Sequence, residues 1–280
     1  MAEPGHTKLG LGTVQFGLPY GVSNTHGQVS RREAAAILDV AAKGGIRVLD
    51  TAANYGTAED VLAGLQTGSF RIVTKTISAN GGADAVAARA RLSAARLKAD
   101  TLLVHAAKDL DDAALWPALQ RLKDEGLFRR IGISVYVADD PAMLAARFRP
   151  DVMQLPFSLL DQRLLNNGTL AQLNDLGVEI HARSLFLQGL LFLDALPPRL
   201  QHAGPRLSAI RRAITDAGST PLAAALGFAL TRPEIGTALV GVTTATELQE
   251  ILDAAARPLP HLDWDAMALD DEVVLTPSLW

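Results

Sequence analysis

Residues 9–17 read LGLGTVQFG, and the far side of this apolar run separates two folds. A dinucleotide-binding open sheet places GxGxxG between its first strand and its first helix. Gly10, Gly12 and Gly17 do not make that pattern, and a long loop separates them from the first helical stretch, which starts after Ser30. The glycines read instead as turn and close-packing positions. Residues 9–13 are a candidate strand. Seven more short apolar runs follow at even spacing: 47–49, 71–74, 101–104, 130–133, 152–155, 178–181 and 237–240. They are continuous rather than alternating, as parallel strands covered by helices are. A count of eight favours closure into a single (β/α)8 TIM barrel with its active site at the carboxyl ends of the strands.

Helical patterns lie between the runs. Ser30 followed by Glu33 has capping-box spacing ahead of AAAILDVAAK, and Gly44-Gly45 stops that helix. Further helices are expected over 84–98, 112–125, 166–176, 222–230 and 246–256, with glycine or proline beyond the ends. An extra helix is expected within 205–218, and a tail over 258–280 with a short helical segment near 264–269. No composition break or repeat divides residues 1–280, so a single domain is expected.

At 280 residues, with 49% hydrophobic and 20% charged, the chain can bury a large core and is not expected to be disordered. Net charge is −4 and no basic patch is evident, which argues against a nucleic-acid partner. With no cysteine, disulfides, thiolate catalysis and Cys-ligated zinc or iron-sulfur sites are excluded. The opening MAEPGHTKLG has no basic region before an apolar stretch. The longest apolar run, 185–196, carries Gln188 and Asp194 and is too short to span a bilayer. A cytoplasmic protein away from membranes is the expectation, as monomer or homodimer.

Four ionisable residues fall at successive strand ends: Asp50 and then Tyr55 in LDTAANYG, Lys75 in VTKT, and His105 in LLVHAA. Tyrosine is a poor acid near neutrality, with an ordinary pKa of about 10. A nearby ammonium favours the phenolate. Lys75 can supply it, Asp50 can orient and balance the lysine, and His105 can hydrogen-bond a substrate oxygen. Tyr55 is then placed to exchange a proton with a carbonyl or alcohol. This chemistry needs no metal. Each residue also admits a structural role: Asp50 as a helix cap, Tyr55 as a packed aromatic, Lys75 in a salt bridge, His105 in the core. Lysine ending a buried strand is the least ordinary, since lysine is rarely buried unpaired.

With these motifs in their order, the sequence resembles the aldo-keto reductase superfamily over nearly its whole length, as a bacterial member with short substrate loops. The resemblance implies that Asp50, Tyr55, Lys75 and His105 are the catalytic tetrad. It implies cofactor contacts at Thr13, Ser134, Gln154, Arg183, Ser184, Leu185, Gln188 and Gly189, and at Gly241, Val242, Thr243, Thr244, Glu247 and Glu250 toward the adenosine. Two positions depart from the family. Val135 stands where an asparagine would hold the carboxamide, and Arg183 stands where an aromatic often stacks on nicotinamide. The resemblance implies NADPH. Many NADP-dependent members carry arginine at the position of Thr243 or Glu247, and neither arginine is here, which leaves NADH possible. Backbone amides after Thr244 offer another phosphate site.

The implied activity is reduction of a small, polar, possibly sugar-derived aldehyde or ketone to an alcohol by an NAD(P)-dependent oxidoreductase. Candidate pocket walls are Phe16, Tyr20, Asn54, Phe157 and Trp280. Two other readings compete. One is a non-redox lyase or epimerase on the same barrel, motivated by Val135 and Arg183. The other is a regulatory protein that senses a nicotinamide cofactor.

Overall fold

The computed structural model describes residues 8–22, 24–193 and 195–280. Residues 1–7 of the opening stretch read above, and Asp194, lie outside them. Eight strands close into a parallel barrel in sequence order: β1 (Leu9–Gly12), β2 (Val48–Asp50), β3 (Arg71–Lys75), β4 (Thr101–Val104), β5 (Arg130–Ser134), β6 (Val152–Pro156), β7 (Glu179–Arg183) and β8 (Ile235–Gly241). Each expected run forms one of them, with ends displaced by at most two residues.

The outer layer is helical: α1 (Arg31–Lys43), α2 (Ala58–Ala63), α3 (Ala83–Leu97), α4 (Leu115–Asp124), α5 (Pro141–Phe148), α6 (Thr169–Asp175), α7 (Gly204–Asp216), α8 (Pro221–Leu230) and α9 (Ala245–Ala255). In α1 the Ser30 hydroxyl accepts from the Glu33 amide, and Ala34, Ile37, Leu38 and Ala41 turn one apolar stripe onto the barrel. Left-handed Gly126 and Gly177 (φ 76° and 74°) let the chain leave α4 and α6. The sequence reading names no helix after the second or fifth strand, where α2 and α5 stand. At six and eight residues they show little periodicity. Near 264–269 the chain forms only a 3-10 turn, Asp265–Met267. No helix among the described residues is long and apolar enough to cross a membrane.

Side chains alternate across a strand, so residues two apart share a face. Val48, Val73, Leu103 and Val152 form a small apolar cluster, separate from the larger core between barrel and helices. Two residues on from each stand Asp50, Lys75, His105 and Gln154. The alternation that packs the barrel therefore delivers a polar set at its carboxyl mouth. Two residues before Val73 stands Arg71, and its guanidinium bonds Glu179 at 2.6 Å. Arg130 pairs with the same Glu179 and, at 2.5 Å, with Asp100. This lower layer ties strand beginnings across the floor. Burial alone would raise the Glu179 carboxyl, but the hydrogen bond from His181 and the two guanidiniums hold it down at about 2.

Candidate active site

At the mouth, Lys75 is 1% exposed and all three of its donors are used. Nζ donates to Asp50 Oδ1 at 2.5 Å, to the Thr51 carbonyl at 3.1 Å and to Tyr55 Oη at 3.3 Å. Burial pulls the lysine down, but the Asp50 carboxylate and Tyr55 outweigh it and hold the ammonium above the ordinary lysine value. Asp50 is satisfied on its other oxygen by Gln154 Nε2 at 2.7 Å. The His105 ring stands edge-on to Tyr55, centroids 5.7 Å apart. Burial first, then the Lys75 ammonium, lower the His105 imidazole to about 4, so it is neutral near pH 7.

Tyr55 lies on a loop that cannot drift. A Cβ at Gly17 would stand 1.8 Å from the Tyr55 carbonyl oxygen, and one at Gly56 (φ 54°) would stand 2.4 Å from the Gly17 oxygen. Two backbones thus touch through glycines, which fixes the tyrosine against the turn that follows β1.

A cleft of about 680 Å³ opens over this cluster and runs out between β8 and α9. Of the expected positions, Asp50, Tyr55, Lys75, His105, Thr13, Ser134, Gln154, Arg183, Ser184, Leu185, Gln188, Gly189, Gly241, Val242, Thr243, Glu247 and Glu250 all line it. Thr244 does not. It caps α9, its hydroxyl accepting from the Glu247 amide. The amides on either side of it are also taken: Ala245 N–H donates to Glu33 Oε1 at 2.7 Å, and Thr243 N–H to Glu247 Oε2 at 2.6 Å.

The expected walls need larger correction. Phe16 and Phe157 are fully buried, and Phe157 stacks on Phe228 at 5.2 Å behind the cleft. Trp280 donates its indole N–H to the Val273 carbonyl, and neither it nor exposed Asn54 lines the cleft. Tyr20 does, joined by Tyr136, Phe186 and Phe192. Arg183 lays its guanidinium over the Tyr136 ring at 4.3 Å and donates to the Val135 carbonyl at 3.0 Å. Tyr136 and Gln15 could have been found by extending the strand-end rule a few residues beyond β5 and β1. Phe186, Phe192 and Glu33 carry no such signal.

The cleft fits an extended dinucleotide on its own features. Ser184, Leu187 and Gln188 all hold positive φ (62°, 44° and 54°) beside Gly189 at 89°, a costly run for residues with side chains. It turns Ser184, Leu185, Gln188 and Gly189 onto the cleft. Among the described residues, Gln15 Oε1 and His105 Nδ1 are buried there without a hydrogen-bond partner.

A closed parallel barrel thus carries a buried lysine and aspartate and a half-buried tyrosine at its carboxyl mouth, under a long cleft, an arrangement able to exchange a proton. The aldo/keto reductase family model matches residues 8–269, and the chain belongs to that family, whose general activity is NAD(P)H-dependent oxidoreduction. It is 28% identical to L-galactose dehydrogenase of Arabidopsis thaliana, over 98% of this chain and 93% of that relative. A Mycolicibacterium smegmatis aldo-keto reductase is 29% identical over 53% of this chain and 55% of its own length. In fold the chain is similar to a holo-form aldo-keto reductase of Bacillus halodurans (TM-score 0.73, 20% identity, 98% and 93% of the two chains covered). Aldose reductase of Giardia lamblia is also similar (TM-score 0.67, 19% identity, 93% and 90% covered).

Proposed function

We propose that this chain, acting as one unit over residues 1–280, interconverts a small polar carbonyl compound and its alcohol with a nicotinamide dinucleotide. The observation that carries the reading is the buried Lys75 ammonium shared by Asp50 and Tyr55 Oη. A bound nicotinamide supplies the hydride. Tyr55 gives its proton to the substrate oxygen, and Lys75, 3.3 Å away, balances the charge left on the phenolic oxygen. Asp50 holds Lys75 in place, and neutral His105 can hydrogen-bond the same substrate oxygen without competing for the proton. Ser134, Gln154 and Arg183 would hold the nicotinamide end. Thr13, Ser184, Leu185, Gln188 and Gly189 would hold the middle, and Gly241, Val242, Thr243, Glu247 and Glu250 the adenosine end.

Substrate class follows from the lining. Tyr20, Tyr136 and Arg183 present hydroxyl and guanidinium groups to the cleft, which suits a polyhydroxylated compound. The name of the Arabidopsis relative points the same way, to a sugar. The connection from His105 to α4 at Leu115 is short, so the mouth closes little over its substrate.

The test is consumption of reduced cofactor, followed by absorbance, with a panel of small aldehydes and sugars. The Tyr55→Phe variant is expected to lose about 10²–10⁴-fold in turnover while its cofactor dissociation constant stays within about twofold of wild type. Full turnover in that variant would remove Tyr55 from the reaction.

A further inference from the structure

We propose that Glu247 and Glu33 make the α9 end of the cleft select NADH over NADPH. This rests on the oxidoreductase reading above and concerns which dinucleotide that reading takes.

The direction of binding follows from the barrel. The reacting group must lie at Tyr55 and His105, after β2 and β4, and β8 stands opposite β4 in the ring. An extended dinucleotide filling the cleft therefore ends with its adenosine beside β8 and α9, where Val242, Thr243, Glu247, Glu250 and Ile251 form the lining. A 2′-phosphate there would seek N–H and O–H donors and a cation. Most of the donors there are already used. Thr243 N–H and Oγ1–H both donate to the Glu247 carboxylate, at 2.6 and 2.9 Å. Ala245 N–H donates to Glu33, reaching across from the first turn of α1. Glu247 N–H donates to Thr244 Oγ1 at 3.1 Å. The positive end of α9 is thus filled by two of the protein's own carboxylates.

The charges are equally one-sided. The lysine and arginine among the cleft's lining residues are Lys75 and Arg183, and both charges are directed toward His105, Arg183 through its bond to the Val135 carbonyl. At the α9 end the charged lining residues are Glu247 and Glu250. His26 stands nearby, its Nδ1 3.2 Å from Thr243 Oγ1. A phosphate dianion would have to displace or face these carboxylates. A ribose 2′-hydroxyl can instead donate to one of them, the general way an acidic residue reads the unphosphorylated ribose.

The experiment is calorimetric titration of the whole protein with NADH and with NADPH, at low and at high salt. NADH is expected to bind at least about tenfold more tightly, which is about 1.4 kcal/mol. The NADPH penalty comes from like charges, so rising salt narrows the ratio. A cationic phosphate clamp would make NADPH binding weaken with salt instead. In Glu247→Gln, which keeps an acceptor and drops the charge, NADPH is expected to tighten several-fold relative to NADH, so that the ratio of the two dissociation constants falls; an unchanged ratio would overturn the role of Glu247. Equal affinities in the wild type, or tighter NADPH, would overturn the preference and leave the oxidoreductase reading standing. Failure of both to bind would overturn the two together. The wild-type salt dependence decides the matter even if the variant does not fold.

Discussion

Replacing Lys75 by methionine isolates the charge at the centre of the site, because the two side chains are close in shape. The change leaves Asp50, 4% exposed, with Gln154 Nε2 at 2.7 Å but without its ammonium. Stranding one partner of a buried ion pair costs about 3–5 kcal/mol. A ceiling comes from simple acid chemistry. An isolated carboxyl with an ordinary value near 3.9 can always escape by taking a proton, which costs about 1.36 kcal/mol per pH unit, or about 4 kcal/mol at pH 7. The remaining Gln154 bond softens this, so a loss of about 3 kcal/mol is expected at pH 7. At pH 5 the same ceiling falls to about 1.5 kcal/mol. Lys75 is held above the ordinary lysine value and keeps its charge across that range in the wild type. Urea unfolding followed by circular dichroism at both pH values reads the difference, and Asp50→Asn combined with Lys75→Met is expected to recover most of the loss. A penalty below about 1 kcal/mol at pH 7, or an equal penalty at both pH values, would refute the view that Lys75 neutralises a buried charge.

Two further outcomes follow from the same geometry. Gly17→Ala must push the Tyr55 loop, because the new Cβ would meet the Tyr55 oxygen at 1.8 Å and the Ala58 nitrogen at 2.5 Å. Turnover is expected to drop at least about tenfold for a stability loss of about 1–3 kcal/mol, with cofactor affinity held; unchanged turnover by the absorbance assay would mean that the loop gives way freely. Acid lowers stability in two stages. The unfolded chain takes up a proton at His105 from its ordinary value of 6.5, while the folded site resists until about 4. Glu179 is held at about 2, so its contribution is complete above 4.5 and disappears as pH falls toward 2. In Glu179→Gln the gap from wild type is expected to be widest at neutral pH and to close below pH 4.5; denaturant midpoints measured from pH 7 to pH 2.5 check this, and a gap that widens in acid contradicts it.

The barrel was legible because each strand is a short apolar run and helices intervene. The ionisable set was legible too, since Asp50, Lys75 and His105 stand where those runs end. The walls were not. Phe16 and Phe157 are aromatic and near strand ends, yet both turn outward under helices, and burial decides against them. Tyr136 enters because Arg183, from a strand two places on, stacks upon it. The α9 terminus misled for a similar reason. Thr244 caps as its spacing to Glu247 implies, but the carboxylate that closes the next amide comes from Glu33 on another helix. Such pairings depend on which elements become neighbours in space, and no local pattern encodes them.

The floor of the barrel carries a consequence for how the chain comes to be folded. Arg71 and Arg130 both lean on Glu179, which lies far downstream of them. Any fragment that ends before β7 has both cations without their common anion, and Asp100 as a partner for one of them alone. Early strands can pair, but the ring gains its electrostatic keystone only when β7 is delivered. Closure then joins distant parts of the sequence in one late event. A fragment cut before β7 carries that unfinished charge as a mark of incompleteness.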